Sequence, residues 1–526
     1  MAEQLIHEAV ARQAALRPDA VAVVCRGERL TYREVDSLAD AWSVELAALG
    51  AGPGTLVPVH LPRSPAQIVA LLAVLKCGAA YAALDRRWPE PRLADVLGQL
   101  APPVVVTDDA AAVGFAGIPV WLVPALRSAP APEPPPAPES RSALQGSAEP
   151  SAPHPPHPPH VGLPASAAAC VFFTSGTTGA PKGVVSPHAA TTRLFADHGP
   201  LALGPGRVMA QAAPSPWDAF SLELWGMLTT GGTVVVIEDD YLLPDTLREV
   251  VTESGVNTLW LTSSLFNLFV EVDLDAFAGL QQLVIGGERL SPSRVGQFLE
   301  RFPETALWNG YGPVESCVFA TMHPVRPEDC AVPNGIPIGT PVPGTAVHLL
   351  DDGDECPVGV VGELCVSGDG LALAYLGNDE LTARCFPDVE LADGPRRVYR
   401  TGDLAHRDAD GVLHYVGRAD RQVKVRGYRI EPAEIESTAL RLAQVAGCAA
   451  VPVPGQLGAF DRIALFCTVP QAAVPVTVRE TERLIRAELE RLLPLHAVPD
   501  VVRLVERIPV TANGKADHHA LLSELA

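Results

Sequence analysis

Short apolar runs, several of them followed by a helical pattern, recur from Val21 to Trp308, and this repeat leaves few folds open to the chain. The runs are Val21–Cys25, Val104–Val106, Cys170–Phe173, Val234–Ile237, Asn257–Leu261, Gln282–Ile285 and Ala306–Trp308. Between them Pro65–Leu75, Ser264–Glu271 and Pro292–Phe302 carry apolar residues at helical spacing. Strands that alternate with helices pair in parallel and need helices on their faces, so the expected class is α/β. Residues 339–416 change character. Short strands punctuated by Gly and Pro predict a small antiparallel sheet or β-barrel-like subdomain there.

A large N-terminal domain over 1–419 and a small α+β C-terminal domain over 420–526 are expected. Gln422–Arg426 alternates, which predicts a strand with Val423 and Val425 on one face and Lys424 and Arg426 on the other. Pro432 opens a helix carrying Ile435 and Leu440. Strands follow at Ala449–Val453 and Ile463–Val469, and a helix carries Leu484, Ile485, Leu489 and Leu492. Residues 130–164 hold 13 of the 51 prolines and predict an extended, solvated linker or insertion. His154, His157 and His160 recur within it, and a solvated face explains them more simply than a metal site.

Charge decides which partners are excluded. Lys and Arg number 39 against 61 Asp and Glu, a net −22, whereas nucleic-acid binding needs clustered cations. No charge-free apolar run reaches the roughly 18 residues of a membrane span. The start MAEQLIHEAV has neither a basic segment nor an apolar signal core, and the ten cysteines form no CxxC pair. No nucleic acid, no membrane and a cytoplasmic location are therefore expected. Only four of the basic residues are lysines: Lys76, Lys182, Lys424 and Lys515. In a chain that uses Arg for generic charge, a retained Lys marks a place suited to a compact ammonium. Lys76 alone lacks an unusual local sequence, and chance retention explains it.

Thr174–Val184 reads TSGTTGAPKGV after the apolar run Cys170–Phe173. Glycines let backbone N–H groups approach phosphate oxygens, hydroxyls donate to them, and Lys182 offsets their charge. It is not a Walker A loop, because Pro181 stands at the second Gly position.

This loop resembles the phosphate-binding loop of adenylate-forming enzymes: acyl-CoA synthetases, luciferases and nonribosomal peptide synthetase adenylation domains. The likeness continues in order through LTYREV (30–35), LKCGAAYAALD (75–85), NGYGPVES (309–316), GELCVSGDGLALAY (362–375), YRTGDL (399–404), GRADRQVKVRGYRIEPAEIE (417–436) and NGKAD (513–517). The chain is most similar to amino-acid-activating adenylation domains. That resemblance implies ATP and Mg²⁺ as cofactors, with Thr174, Ser175, Gly176, Thr177, Thr178, Gly179 and Lys182 around the phosphates. It implies Gly287 and Gly312 as nucleotide-binding, Asn309 and Tyr311 at the nucleotide base, and Asp403 at the ribose with Tyr415 and Arg418 nearby. Glu315, a hard oxygen ligand, is implied as the metal residue. Lys515 matches the lysine set between carboxylate and α-phosphate, where a cation offsets the repulsion of two anions. Asp420 matches the hinge, and Lys424 is read as serving the second half-reaction.

SPWDAFSLELW (215–225) matches the segment whose Asp, here Asp218, pairs with a substrate amino group. The matching pocket positions are Ala219, Leu222, Trp260, Val284, Gly286, Gly310, Val318 and Phe319. None of these ionises, and the set resembles pockets for valine. Trp260 and Phe319 are expected to fill volume, while Gly286 and Gly310 are expected to leave room. Val314 stands where the family usually has Thr, and Leu373 with Ala374 where it usually has Arg-Gly. The chain ends 11 residues after Lys515 with no GGxS carrier segment, so a stand-alone enzyme is expected. The implied function is activation of valine, 2-aminobutyrate or a similar amino acid as aminoacyl-AMP. Transfer to a separate phosphopantetheinylated peptidyl carrier protein would follow, with the need for a small activator protein left open. An acyl-CoA or aryl-acid synthetase and a non-catalytic nucleotide or amino-acid sensor are the alternatives.

Overall fold

The structure is a computed structural model that describes residues 4–109, 117–126, 162–174, 181–195, 199–332, 335–419, 422–455, 460–469, 477–509 and 516–525. Two large sheets share the N-terminal part. In the first, Val21–Cys25, Thr233–Val236, Val208–Gln211, Thr258–Thr262, Gln282–Gly286 and Ala306–Tyr311 run parallel. Antiparallel strands close its edges. In the second, Ala168–Thr174, Ala80–Ala83, Leu56–His60, Val105–Thr107 and Val120–Leu122 run parallel, with Lys182–Pro187 antiparallel beside Ala168–Thr174.

The helix Pro65–Lys76 shows why the two sheets belong together. Ser64 caps it and Pro65 opens it. Every residue from Gln67 to Leu75 is buried, so no face is left for water. It contacts Val21–Cys25 of one sheet and both Leu56–His60 and Ala80–Ala83 of the other. One apolar core therefore runs through both, including Val23, Val57, Leu71 and Trp225. Lys76, at its last turn, is 7% exposed and sits 2.6 Å from Asp36 and 2.5 Å from Asp40. Its role is a buried ion pair with the helix Tyr32–Ala48.

An antiparallel five-stranded sheet follows over Thr345–Arg418. The C-terminal part packs the helices Pro432–Ala439 and Val478–Glu490 on a further sheet built on Phe460–Thr468. Ile435, Ile485 and Leu489 are fully buried there, but Leu440 and Leu484 are exposed, because both fall on the solvent side of the turn that buries their neighbours. The strand Val423–Val425 is shorter than its alternation predicts. Arg426 and Gly427 both adopt positive φ, the geometry of a two-residue hairpin turn, so Arg426 leaves the strand and bonds Asp461 and Asp500 instead of sharing a face with Lys424.

Candidate functional site

A cavity of about 160 Å³ opens at the carboxyl ends of Thr258–Thr262, Gln282–Gly286 and Ala306–Tyr311. Carboxyl ends are where parallel sheets present ligands to loops. Asp218, Ala219, Trp260, Gly310, Val318 and Phe319 line one part of it. Thr174, Gly287, Gly312, Asp403 and Arg418 line another.

Asp218 immediately precedes the helix Ala219–Leu228, where the helix dipole favours a carboxylate. Its Oδ2 accepts from the Val318 amide at 2.7 Å. Cys317 and Val318 both hold positive φ, 45° and 62°. For a β-branched residue this is strained backbone, and it aims the Val318 N–H at Asp218. The buried Arg193 guanidinium fixes the same turn by donating to the carbonyls of Ser316 and Phe319, each at 2.8 Å. Burial pushes the Asp218 carboxyl up, with the Glu315 charge adding to it, against the opposing Val318 bond and Lys424. A substrate ammonium beside Asp218 would offset that penalty.

Three predicted lining residues stand behind the wall. Leu222, Val284 and Gly286 are buried without reaching the cavity. The two glycines leave no room either. A Cβ on Gly286 would overlap the Gly310 carbonyl oxygen in the neighbouring strand, and one on Gly310 would overlap the Phe319 ring. Glycine is needed at both for close backbone and ring packing.

In the nucleotide half, Asp403 is held by the Tyr311 hydroxyl at 2.5 Å and by Arg418 at 2.6 Å. Tyr311 sits behind the cavity wall, as does Asn309, whose amide donates to the Pro337 carbonyl at 2.7 Å. Asn309 and Tyr311 belong to the strand Ala306–Tyr311, so NGYGPVES starts within a strand rather than after one. Tyr415 packs at the edge of the antiparallel sheet's core, also off the cavity. Ser175, Gly176, Thr177, Thr178, Gly179, Asp420 and Lys515 lie outside the described residues, as does most of the Pro-rich stretch.

The C-terminal part closes the cavity. Lys424 lines it, and burial lowers its pKa while Asp403 raises it. The Gly427 amide donates to Glu288 Oε1 at 2.8 Å, and Tyr428 meets Trp217 edge-on at 4.4 Å and stacks on His496 at 4.1 Å. Arg429 Nη1 bonds Glu315 Oε2 at 2.7 Å. Two further pairs cross the same junction: Lys182 with Glu431 at 3.5 Å, and Arg92 with Glu434 at 3.1 Å. Sequence reasoning missed Trp217, Arg429, Glu431 and His496. Arg429 and Glu431 lie within a motif singled out above, but their targets are more than 100 positions away.

Glu315 is fully buried. Burial alone would raise its pKa, yet Arg429 and Lys182 outweigh it and hold the carboxyl below the usual range. An ionised hard-oxygen donor near Lys182 and the unpartnered, buried Thr174 hydroxyl fits Mg²⁺ beside phosphate. No helix among the described residues is long and apolar enough to cross a membrane.

The family model described as AMP-binding enzyme matches residues 10–376, and that of the AMP-binding enzyme C-terminal domain matches 434–515. Tyrocidine synthase 3 of Brevibacillus parabrevis is 34% identical over 518 residues, 98% of this chain but 8% of that protein. Malpibaldin synthetase of Mortierella alpina is 35% identical over 528 residues, 99% of this chain and 9% of its own length. The chain thus spans less than a tenth of these two relatives. Among solved structures, holo-PA1221, a nonribosomal peptide synthetase protein containing adenylation and carrier (PCP) domains bound to a vinylsulfonamide inhibitor, superimposes with a TM-score of 0.84 at 32% identity. That match covers 99% of this chain and 84% of that one.

Proposed function

The chain belongs to the AMP-binding enzyme family of adenylate-forming ligases, and from that premise we propose that it activates a small aliphatic amino acid and passes it to a carrier protein. In the first step a carboxylate oxygen attacks the α-phosphorus of ATP and pyrophosphate leaves, giving aminoacyl-AMP. In the second a carrier thiolate attacks the carbonyl carbon and AMP leaves, giving a thioester. The observation that carries the amino-acid assignment is Asp218, a buried carboxylate set in an otherwise apolar wall of Ala219, Trp260, Val318 and Phe319. An acid lacking the amine would leave that charge unpaired, which is strongly unfavourable.

Mg²⁺ held by Glu315 would neutralise the phosphates and polarise them toward attack. Lys182 offsets the same charge from the strand beside them, and Lys515 is assigned to the α-phosphate during the first step. Asp403, fixed by Tyr311 and Arg418, presents a carboxylate to the ribose hydroxyls. We take 1–419 and 420–526 as the two moving parts, with the turn at Asp420.

Support for the carrier comes from a second cavity of about 400 Å³, which shares Trp217, Trp260, Tyr428 and His496 with the first. The exposed Tyr241, Leu268 and Leu495 are among its lining residues. Such a cleft suits an extended thiol arm, and the adenylation and carrier domains of PA1221 are of the class this reading needs.

An amino-acid panel in ATP–pyrophosphate exchange tests the reading. Valine or 2-aminobutyrate should be strongest and aromatic or charged amino acids weak. Threonine should fall only about 10²-fold below valine, because an apolar wall rejects an isosteric hydroxyl poorly. Equal exchange with fatty acids, or none with any amino acid, would sink it. Offering coenzyme A and a carrier protein side by side as acceptors separates this reading from an acyl-CoA synthetase.

Trp260 tests the pocket. It is 8% exposed and borders both cavities. Trp260→Ala should move the preference toward leucine and longer side chains. An unchanged profile in a folded, active variant would make the indole a packing residue only.

A further inference from the structure

Two strands of the C-terminal part set a pair of cysteines opposite each other. Gly447–Pro454 runs antiparallel to Phe460–Thr468, and in that register Cys448 faces Cys467. Their backbones do not bond one another. The Cys467 carbonyl accepts from the Val505 amide at 2.9 Å, on the side of Val501–Leu504, while the Thr468 carbonyl turns the other way and accepts from Ala446 at 2.8 Å. Opposed residues of this unbonded kind have Cα atoms about 4.5 Å apart and side chains at their closest approach. A disulfide spans about 4.4–6.8 Å between Cα atoms, so closing one here needs no shift of either strand. Both side chains share one face, in the core with Ile463, Leu465 and Ile485. Among the described residues, no other two cysteines are partners in a strand pair.

Access differs between the two. Cys467 is fully buried, whereas Cys448 is partly exposed near the start of a strand at the sheet's edge. The Cys448 thiol donates to the Glu436 carbonyl at 3.4 Å, but the Leu440 amide bonds that carbonyl too, at 2.9 Å. The helix Pro432–Ala439 therefore keeps a donor at its end when the thiol is consumed. Burial pushes both thiols up to about 12, with Glu436 adding at Cys448, and with Cys448 and Glu482 adding at Cys467. Both stay protonated at neutral pH, so a bond between them forms slowly and under sustained oxidant.

We propose that Cys448 and Cys467 are the site of a reversible cross-strand disulfide, formed with a low-molecular-weight disulfide of the glutathione class as oxidant, that staples the edge strand to the sheet. Cys448 loses its proton and attacks one sulfur of the oxidant. One thiolate leaves and takes up a proton, and a mixed disulfide remains on Cys448. Cys467 then loses its proton and attacks the Cys448 sulfur, and the second thiolate leaves and is protonated. Two protein thiols become one disulfide while the oxidant becomes two thiols, so electrons and protons balance.

The test holds the folded full chain in glutathione buffers of rising oxidised fraction, blocks free thiols by alkylation and finds linked peptides by mass. A peptide pair joining Cys448 to Cys467, two hydrogens lighter than its reduced parts and undone by dithiothreitol, is the expected product. Cys467→Ala should retain glutathione on Cys448, because the thiol that displaces it is gone, and Cys448→Ser should leave Cys467 unmodified. Deuterium exchange of the peptide covering 447–454 should slow at least about 10-fold in the oxidised chain, since a closed loop of about 20 residues favours the paired strands. Alkylation of both cysteines at the most oxidising ratio, or a link that appears only after unfolding in urea, would overturn the site. A link that leaves exchange of 447–454 unchanged would overturn the staple. Where a variant does not fold, the linked peptide from the wild type decides alone.

Discussion

Lys515→Ala is expected to slow ATP–pyrophosphate exchange by about 10²–10³-fold, the scale of losing one electrostatic stabiliser of a transition state. The same variant, given synthetic aminoacyl-AMP and a carrier protein, is expected to form thioester at close to the normal rate. The asymmetry follows from the turn proposed at Asp420, which brings Lys515 to the site only while the adenylate forms. Among the described residues, Lys424 lines the cavity wall together with Asp403 and Arg418. Lys515→Arg should recover little, since a broad, planar guanidinium is a poor substitute for a compact ammonium. Single-turnover measurement of each step separately checks the prediction. Equal damage to both steps would refute the turn, even with amino-acid activation intact.

Asp218→Asn should raise the KM for valine by about 10²–10³-fold. A buried ammonium left facing a neutral amide loses the partner that offsets its desolvation, roughly 3–5 kcal/mol. The variant also removes a carboxyl whose burial is unfavourable, so the fold itself should not suffer. Asp218→Ala should go further and favour the desamino acid isovalerate over valine in exchange, since nothing charged would then need pairing. A variant that keeps its preference for valine would show that another group reads the amine.

Much of this is legible in the sequence because the informative signals are local. Seven of the eleven parallel strands in the two large sheets are visible as apolar runs, while Leu56–His60, Ala80–Ala83, Val120–Leu122 and Val208–Gln211 are not among those runs. The Pro65–Leu75 segment, apolar but for Gln67, marks a helix that must be covered on both sides. Asp218, Asp403 and Arg418 come from short motifs whose residues do reach one cavity. What escapes is set by contacts between distant segments. Nothing near Gly286 says that the Gly310 carbonyl passes against it, so an absent side chain reads as space. Val423–Arg426 alternates like a longer strand, yet Gly427 allows a hairpin turn whose close approach to Thr262 belongs to the tertiary structure. Asn309 and Tyr311 read as contacts to the base, and nothing local shows that the Asn309 amide N–H also donates to Pro337 or the Tyr311 hydroxyl to Asp403. Arg429 is invisible as a site residue because its meaning depends on which face of the C-terminal part docks.

The filled glycines decide how this pocket could be retuned. Gly286 and Gly310 face each other across paired strands, and Phe319 already lies in the space a side chain on Gly310 would take. Narrowing the pocket there would shift strand spacing, and with it the strand end that carries Tyr311 toward Asp403. A change of amino-acid preference would be felt at the ribose end as a loss of nucleotide fit. Ala219 and Trp260 carry no such linkage, since one begins a helix and the other projects from its strand toward the cavity. New specificities on this scaffold should therefore arise first at those two positions, with the glycine pair fixing the strand spacing on which the wall at Gly310 rests.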